Sequence, residues 1–243
     1  MEHLVIIGNG ISGVTTARHV RKRSDMRITI ISAETDHFFS RTALMYIYMG
    51  HMKYEHTKPY EDWFWEKNRI DLIRGFVTGI DTDSRIVTLE NGDTIAYDKL
   101  VISTGSKSNK FGWPGQDLPG VQGLYSIQDV ELLEKNSDNA TRAVIVGGGL
   151  IGIELAEMLV SRGISVTFLV REERYWSNIL PKDESELVGR HIIEHGLDLR
   201  LNVSLKEILA TRTDGFAALL LQKPAKNCQI VGLTPGVSRI STW

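Results

Sequence analysis

Two glycine-rich loops constrain the fold of this chain more than any other sequence feature. The first, VIIGNGISG, spans residues 5–13, and the second, VIVGGGLIG, spans residues 144–152. In each, an apolar run typical of a buried parallel strand leads into the spacing G-x-G-x-x-G and then into a helix-like stretch. Each strand, loop and helix together predict a dinucleotide-binding unit, so two copies predict two units. A glycine-rich turn that binds no ligand is the alternative for each loop.

The spacing of the glycines has a geometric reason. The first glycine makes the tight turn from strand to helix, the second lets a pyrophosphate approach the backbone, and the third lets helix and strand pack closely. The free N–H groups of the first helical turn, together with the helix dipole, favour the negative charge of the phosphates. The predicted positions are Gly8, Gly10 and Gly13 in the first loop and Gly147, Gly149 and Gly152 in the second.

Composition excludes several classes of function. A net charge of −2 and a pI near 6.4 provide no basic surface for nucleic acid or an anionic membrane. No apolar run approaches the ~18 residues of a membrane span, and the strand pattern begins directly after Met1-Glu2-His3, so we expect a cytoplasmic protein without a signal peptide. The single cysteine, Cys228, excludes an internal disulfide and a C-x-x-C pair, so we expect no metal site. Any redox chemistry therefore requires a bound cofactor.

The segment after the first loop predicts a second parallel strand at 27–31, followed by Glu34. An acid about 20–26 residues beyond the first glycine is placed to hold a ribose 2′-hydroxyl, and a solvated loop acid is the alternative. Residues 37–65 are aromatic and irregular. The short β-type runs between 70 and 89 and the turn Asn91-Gly92-Asp93 predict an antiparallel meander that starts at Ile70.

The second half of the chain returns to alternating strands and helices. Loops at 111–120 predict a domain boundary, and the later pattern predicts strands at 142–146 and 165–170, helices ending near 161 and 195, and β-type runs around Leu199, Leu219 and Ile230. The predicted domains are 1–108 for a first nucleotide and 109–232 for a second.

The order of the motifs resembles a known family. A GxGxxG loop, then Tyr97-Asp98-Lys99-Leu100-Val101-Ile102-Ser103-Thr104-Gly105, then GGGxIGxE, resembles the FAD-dependent pyridine nucleotide (disulfide) oxidoreductases, especially the rubredoxin, ferredoxin and nitrite reductase-like branch. The resemblance implies an α/β fold with two doubly wound Rossmann-like dinucleotide-binding domains. The FAD domain would carry an antiparallel β-meander, and the second, NAD(P)-binding domain would be inserted into it.

The same resemblance implies a flavoprotein oxidoreductase that transfers a hydride from NAD(P)H to FAD and passes electrons to an unidentified acceptor, for which a protein is one candidate. This half-reaction needs no acid or base from a side chain, so no catalytic residue is assigned. The implied FAD contacts are Gly8, Gly10, Ile11, Ser12, Gly13, Glu34, Arg41, Val77, Thr104 and Gly105, and the implied nicotinamide dinucleotide contacts are Gly147, Gly149, Leu150, Ile151, Gly152 and Glu154. A helix acid that stabilises the dipole is the alternative role of Glu154.

Departures from the family pattern refine these expectations. Residues 40–52 contain no cysteine, so disulfide substrates are not expected, and Tyr46 replaces a lysine of related reductases, which leaves the partner of flavin N5 unassigned. NADH-preferring relatives carry an acid after the strand that ends here at Val170. Arg171 and Arg174 follow instead, and arginine suits a 2′-phosphate, so we expect NADPH to be preferred over NADH.

In this family a last segment returns to the FAD domain, and the resemblance implies that residues 233–243 begin this return, but the family's closing Gly-Asp turn is absent after residue 232. The chain is therefore either truncated or a shortened relative whose FAD site is incomplete or completed by another subunit. An uncovered sheet edge favours a homo-oligomer. Two alternatives to the enzyme follow: a truncated, non-catalytic FAD/NAD(P)-binding module, and a structural interaction domain with both loops empty.

Overall fold

The structure, a computed structural model, describes residues 1–210, 217–222 and 230–232, the last two ranges as backbone. The chain divides into two compact units. The first contains Met1–Lys107 together with Ser126–Gln128, and the second contains Ser108–Tyr125 and the chain from Asp129 onward. The predicted return segment 233–243 lies outside the described residues.

The first unit is built on a four-stranded parallel sheet with strand order β3-β2-β1-β7. A separate antiparallel sheet has the order β4-β5-β6. The elements, in chain order, are β1 (His3–Ile7), α1 (Ile11–Arg21), β2 (Arg27–Ser32), α2 (Leu44–Tyr48), α3 (Trp63–Lys67), β3 (Ile70–Arg74), β4 (Val77–Asp81), β5 (Ile86–Leu89), β6 (Thr94–Ala96) and β7 (Lys99–Ile102).

The parallel sheet is buried on both faces, which explains its continuous apolar strands. Leu4 and Ile6 of β1 face a core shared with α1, whereas Val5 and Ile7 face the opposite side and pack with Val87 of the meander. Helices therefore cover one face and the antiparallel sheet covers the other. The carboxyl ends of β1, β2 and β7 lie at one edge, where ligands bind in open α/β sheets.

The prediction that the meander starts at Ile70 was wrong. Strand β3 lies parallel to β2, with Ile70 opposite Ile28, and it belongs to the main sheet. The reason is the short helix α3, which directly precedes β3 and returns the chain so that the new strand runs parallel to β2. The meander contains only β4, β5 and β6, and its predicted turn is confirmed, with Gly92 at φ +88°.

The second unit has a three-stranded parallel sheet with order β10-β9-β8 and a separate antiparallel sheet with order β11-β12-β13. Its first helix, α4, begins with two residues that belong to the first unit. The elements are α4 (Ile127–Ser137), β8 (Arg142–Val146), α5 (Leu150–Ser161), β9 (Ser165–Leu169), α6 (Lys182–Glu194), β10 (Asp198–Arg200), β11 (Ser204–Ala210), β12 (Ala217–Gln222) and β13 (Ile230–Gly232).

The predicted strands and helices of the second unit are confirmed to within a residue or two. Gly163 and Gly196 follow the ends of α5 and α6 with φ of +76° and +80°, as expected of glycines that end helices. Sequence analysis missed α4 and β11, and also α2 and α3 in the stretch described as irregular. Among the described residues, no helix is both long and apolar enough to span a membrane.

Candidate functional site

The first glycine loop joins β1 to α1, and its three glycines have different structural roles. Gly8 adopts φ +110°, and a Cβ there would lie 2.2 Å from the Ser103 carbonyl oxygen. A Cβ on Gly13 would lie 2.0 Å from the Gly8 carbonyl oxygen, whereas a Cβ on Gly10 would meet nothing within 4 Å. The first and third glycines are therefore required by the fold. The second borders open space, where a ligand can approach the backbone.

The second loop, between β8 and α5, repeats this arrangement at its second and third glycines, whereas a Cβ on Gly147 would meet nothing within 4 Å. Gly147 adopts φ +114°, and its N–H donates to the Leu169 carbonyl at 2.9 Å. A Cβ on Gly152 would lie 3.0 Å from the Gly147 carbonyl oxygen, whereas a Cβ on Gly149 would meet nothing within 4 Å. In both loops, therefore, the third glycine allows the helix to pack closely against the loop backbone, and the second glycine borders open space.

The helix that follows each loop presents an uncompensated positive end. Gly10 and Gly149 are the N-caps of α1 and α5, and glycine has no side chain that could accept a hydrogen bond from the N–H groups of the first turn. Neither helix carries an acidic residue in its first turn, in contrast to α6, which carries Asp183 and Glu184 there. Backbone N–H groups and the helix dipole at α1 and α5 are thus available to an anionic ligand.

The structure brings two predicted FAD contacts together as a direct ion pair. Arg41 donates from both terminal nitrogens to the Glu34 carboxylate, at 2.9 Å and 2.5 Å. The same carboxylate accepts the Ile127 N–H at 3.1 Å, and the Gln128 side chain donates to the Glu34 carbonyl at 2.8 Å. Glu34 is therefore not a solvated loop acid. It fixes Arg41 and holds the segment 126–128 on the first unit.

The remaining predicted contacts of the first unit follow strands of the parallel sheet. Ile11 and Ser12 are exposed in the first turn of α1. Thr104 and Gly105 follow β7, and Gly105 adopts φ +70°. Val77 is half-buried at the start of β4, opposite Leu89. All of them come shortly after a strand of the parallel sheet in sequence, as do Gly8 and Glu34.

In the second unit, Leu150 and Ile151 are 61% and 54% exposed at the start of α5, which leaves two large apolar side chains beside the open Gly149. Glu154 is exposed and is the fifth residue of α5. It lies beyond the first turn, so the alternative of a first-turn acid that stabilises the dipole does not apply.

Two arginines follow β9, and each is paired with a neighbouring acid. Arg171 Nε donates to Glu172 at 2.7 Å, a hydrogen bond that raises the pKa of the Arg171 guanidinium. Arg174 donates to Glu173 through one terminal nitrogen, and its Nε is buried with no hydrogen-bond partner in the part of the chain that the structure describes. Val170, where an acid would bind a ribose, is buried.

Some residues that hydrogen-bond to the glycine loops or lie within them were not predicted from the sequence. The Ser103 hydroxyl donates to the Ile7 and Gly8 carbonyls at 3.1 and 3.2 Å, and the buried Asn9 side chain donates to the Thr35 carbonyl at 2.9 Å. The position of Asn9 inside the first glycine motif was the one signal in the sequence that could have identified it. Ser103 and, in the second unit, Tyr175 are distant from the loops in sequence, and only the fold brings them into contact with the loops.

Within residues 1–210 and the two described strands that follow, no cluster of three or more His, Cys, Asp or Glu side chains could hold a metal ion.

Comparison with known proteins identifies the group of proteins that this chain resembles. The profile of the pyridine nucleotide-disulphide oxidoreductases matches residues 2–232. The ferredoxin reductase component of chlorobenzene dioxygenase from Cupriavidus sp. (strain PS12) is 33% identical over 228 residues, covering 89% of this chain and 55% of that protein. The ferredoxin–NAD(+) reductase subunit of the benzene 1,2-dioxygenase system of Pseudomonas putida is 34% identical over 206 residues, covering 84% and 50%.

A solved structure agrees in fold. The NADH:rubredoxin oxidoreductase from Clostridium acetobutylicum superimposes with a TM-score of 0.74 at 28% identity, over 83% of this chain and 53% of that one. The chain spans about half the length of the relatives that it matches. With the matching profile, the two glycine loops and the shared α/β fold, the chain belongs to the pyridine nucleotide-disulphide oxidoreductase family.

Proposed function

We propose that this chain carries the nucleotide-binding machinery of a flavoprotein oxidoreductase that moves electrons from NAD(P)H through FAD to an acceptor. The observation that carries the proposal is the shared geometry of the two loops. In each, the second glycine faces open space beside a helix N-terminus with no side-chain cap and no acid in its first turn. Two such sites in one chain fit two dinucleotides.

The first unit has the features that FAD binding requires. The backbone of the first loop would hold the pyrophosphate, and the Glu34 carboxylate would hold the adenosine ribose while Arg41 keeps it oriented. Glu34 Oε2 accepts a hydrogen bond from Arg41, and the second lone pair of a carboxylate oxygen would accept one from a ribose hydroxyl. When bound, FAD would supply the two-electron chemistry, accepting reducing equivalents from the nicotinamide and releasing them to the acceptor.

The remaining contacts would enclose the same ligand. Val77, Thr104 and Gly105 would line the cofactor at the carboxyl edge of the sheet, where Ile11 and Ser12 also lie. Gly105 with φ +70° turns the chain away from β7, and a side chain there would be strained. The protein's contribution is to bind and orient the cofactor rather than to supply an acid or base.

The second unit would bind the nicotinamide dinucleotide. Gly147, Gly149 and Gly152 would shape its phosphate site, with the exposed Leu150 and Ile151 against the ligand and Glu154 nearby on α5. The apolar side chains would lose their contact with water when the nucleotide binds, which is favourable.

For the choice of nucleotide, we propose NADPH. Val170 offers no carboxylate to a 2′-hydroxyl, and the Arg171 side chain is 77% exposed. Its bond to Glu172 uses Nε and leaves the terminal nitrogens to meet a 2′-phosphate. The pairing of Arg171 and Arg174 with Glu172 and Glu173 reduces the local positive charge, so the preference should be modest.

The nucleotide choice is tested by steady-state kinetics. Arg171→Ala should lower kcat/KM for NADPH by about tenfold or more, the range expected for losing a charge-assisted hydrogen bond, and leave NADH unchanged. Arg190→Ala, an exposed arginine on α6, is the matched control and should change neither value. A wild-type kcat/KM for NADH equal to or above that for NADPH would reject the preference.

We propose a small redox protein of the ferredoxin or rubredoxin class as the acceptor, on the basis of the relatives named above. The chain has one cysteine, so a dithiol relay to a disulfide substrate has no residues to use. Reduction of ferredoxin and rubredoxin, each assayed with NADPH as donor, would identify the acceptor. Reduction of neither would reject this part of the proposal.

The absorption spectrum of the purified chain tests the whole proposal. A stoichiometric flavin spectrum, bleached by NADPH under anaerobic conditions, is the expected result. A protein that binds NADPH but cannot be reconstituted with FAD would instead be a non-catalytic nucleotide-binding module. A protein that binds neither nucleotide would reject both functions.

A further inference from the structure

We propose that Tyr175 is a positioning residue for the pyrophosphate of the nicotinamide nucleotide, acting through the peptide bond between Gly149 and Leu150. The inference rests on the proposed function of the second loop. Tyr175 follows β9 in sequence, 26 residues beyond Gly149, and its hydroxyl donates to the Gly149 carbonyl at 3.2 Å.

The side chain is held firmly beneath the loop. Tyr175 is 1% exposed, and its ring meets Phe168 edge-on, with centroids 5.9 Å apart. A Cβ on Gly148 would lie 3.3 Å from Tyr175 Cε2, so the ring leaves little room for a side chain at Gly148. The buried Ser185 hydroxyl donates to the Tyr175 carbonyl at 2.5 Å, which fixes the main chain as well.

The hydrogen bond reinforces the direction of a phosphate donor. The Gly149 carbonyl accepts the Ile153 N–H of α5 at 3.3 Å, and the Tyr175 hydroxyl is its second donor. The Gly149–Leu150 peptide is trans, so its C=O and N–H point in opposite directions. With the carbonyl directed toward the Tyr175 hydroxyl and the Ile153 N–H, the Leu150 N–H is directed away from both, at the end of α5 where a Cβ on Gly149 would meet nothing within 4 Å. This N–H belongs to the first turn of α5, whose N–H groups have no intrahelical acceptor and are the donors that bind phosphate.

The hydroxyl remains a donor throughout the physiological range. Burial raises the pKa of Tyr175 to about 12, so the group stays neutral and protonated. A donor at the carbonyl end of a peptide also polarises its N–H end, which strengthens the hydrogen bond to an anion.

The first loop is supported by different chemistry. There the Asn9 side chain donates to the Thr35 carbonyl, and the Ser103 hydroxyl donates to the Gly8 carbonyl. Removal of the Tyr175 hydroxyl should therefore affect the second nucleotide and leave FAD binding unchanged, so FAD binding is an internal control.

The test is the dissociation constant of ADP-ribose, measured by titration calorimetry in the full chain at a temperature where every variant is folded. Tyr175→Phe keeps the ring and its packing and removes only the hydroxyl. We expect binding about three- to tenfold weaker, as for the loss of one hydrogen bond. Tyr97→Phe, which removes a hydroxyl 3.4 Å from the Asp81 carbonyl in the first unit, is the matched control and should stay within twofold of wild type.

A second control separates positioning from stability. Val166→Ala creates a cavity at a buried position of β9 and should lower the melting temperature of the second unit without weakening ADP-ribose binding. Wild-type affinity in Tyr175→Phe, or equal weakening in Val166→Ala, would overturn the inference while leaving the proposed function intact. Failure of the wild-type chain to bind ADP-ribose would reject the proposed function of the second loop itself.

Discussion

Alanine substitutions at the second and third glycines of the first loop should have opposite effects. Gly10 has φ −70° and ψ −176°, which alanine adopts without strain, and a Cβ there meets nothing within 4 Å. Gly10→Ala should therefore stabilise the flavin-free protein by about 0.4–1 kcal/mol, because alanine has fewer unfolded conformations. The same methyl group would occupy the space through which a pyrophosphate approaches, so FAD binding should be lost.

Gly13→Ala should destabilise the first unit. Its Cβ would lie 2.0 Å from the Gly8 carbonyl oxygen and 2.8 Å from Ser103 Oγ, whereas real Cβ contacts exceed 3.0 Å. The obstacle is backbone, so α1 must move away from β1 by about 1 Å. Overpacking of a buried contact costs about 1–3 kcal/mol, and a backbone obstacle favours the upper end. We expect a melting temperature lower by roughly 10 °C.

The assay is thermal unfolding followed by circular dichroism on protein freed of flavin, with FAD affinity measured separately. The second loop provides a graded comparison, because a Cβ on Gly152 would lie 3.0 Å from the nearest backbone oxygen and Gly152→Ala should cost less than Gly13→Ala. We distinguish a glycine that faces the ligand, Gly10, from one that is needed for packing, Gly13. This distinction would be refuted if Gly10→Ala were destabilised as much as Gly13→Ala, or if Gly10→Ala still bound FAD.

Two further predictions concern charge and ionisation. Arg41→Ala should lower the free energy of unfolding by about 1 kcal/mol, because it removes the two hydrogen bonds that the guanidinium donates to the partly buried Glu34, whereas Arg27→Ala at the exposed pair with Asp71 should cost less than about 0.5 kcal/mol. Urea unfolding measures both, and equal losses would contradict the role of burial. Between pH 10 and about 12 the Tyr175 hydroxyl ionises in the unfolded state but not in the folded one, so stability should fall as the pH rises. Tyr175→Phe should show a shallower decline in urea unfolding across this range, and an unchanged slope would argue against the raised pKa.

The sequence was sufficient for features that depend on local chemistry. Each glycine motif, with its apolar strand before and helix after, indicated a turn that only glycine can make, and the structure confirms β1, α1, β8 and α5 at the expected places. Pro181 and Gly196 likewise marked the ends of α6, because proline favours a first turn and glycine accepts a positive φ.

Partnerships between distant segments were decided only by the tertiary structure. A short apolar strand such as Ile70–Arg74 can pair in either direction, and its parallel pairing with β2 depends on the path of the chain through α3. Glu34 was identified from its spacing, but its bonds to Arg41 and Ile127 join residues up to 93 positions apart. The Tyr175 hydroxyl reaches Gly149 for the same reason. Local sequence determines backbone conformation and the pattern of burial, whereas the close approach of polar groups from separate segments exists only after the sheet has assembled and brought its loops to one edge.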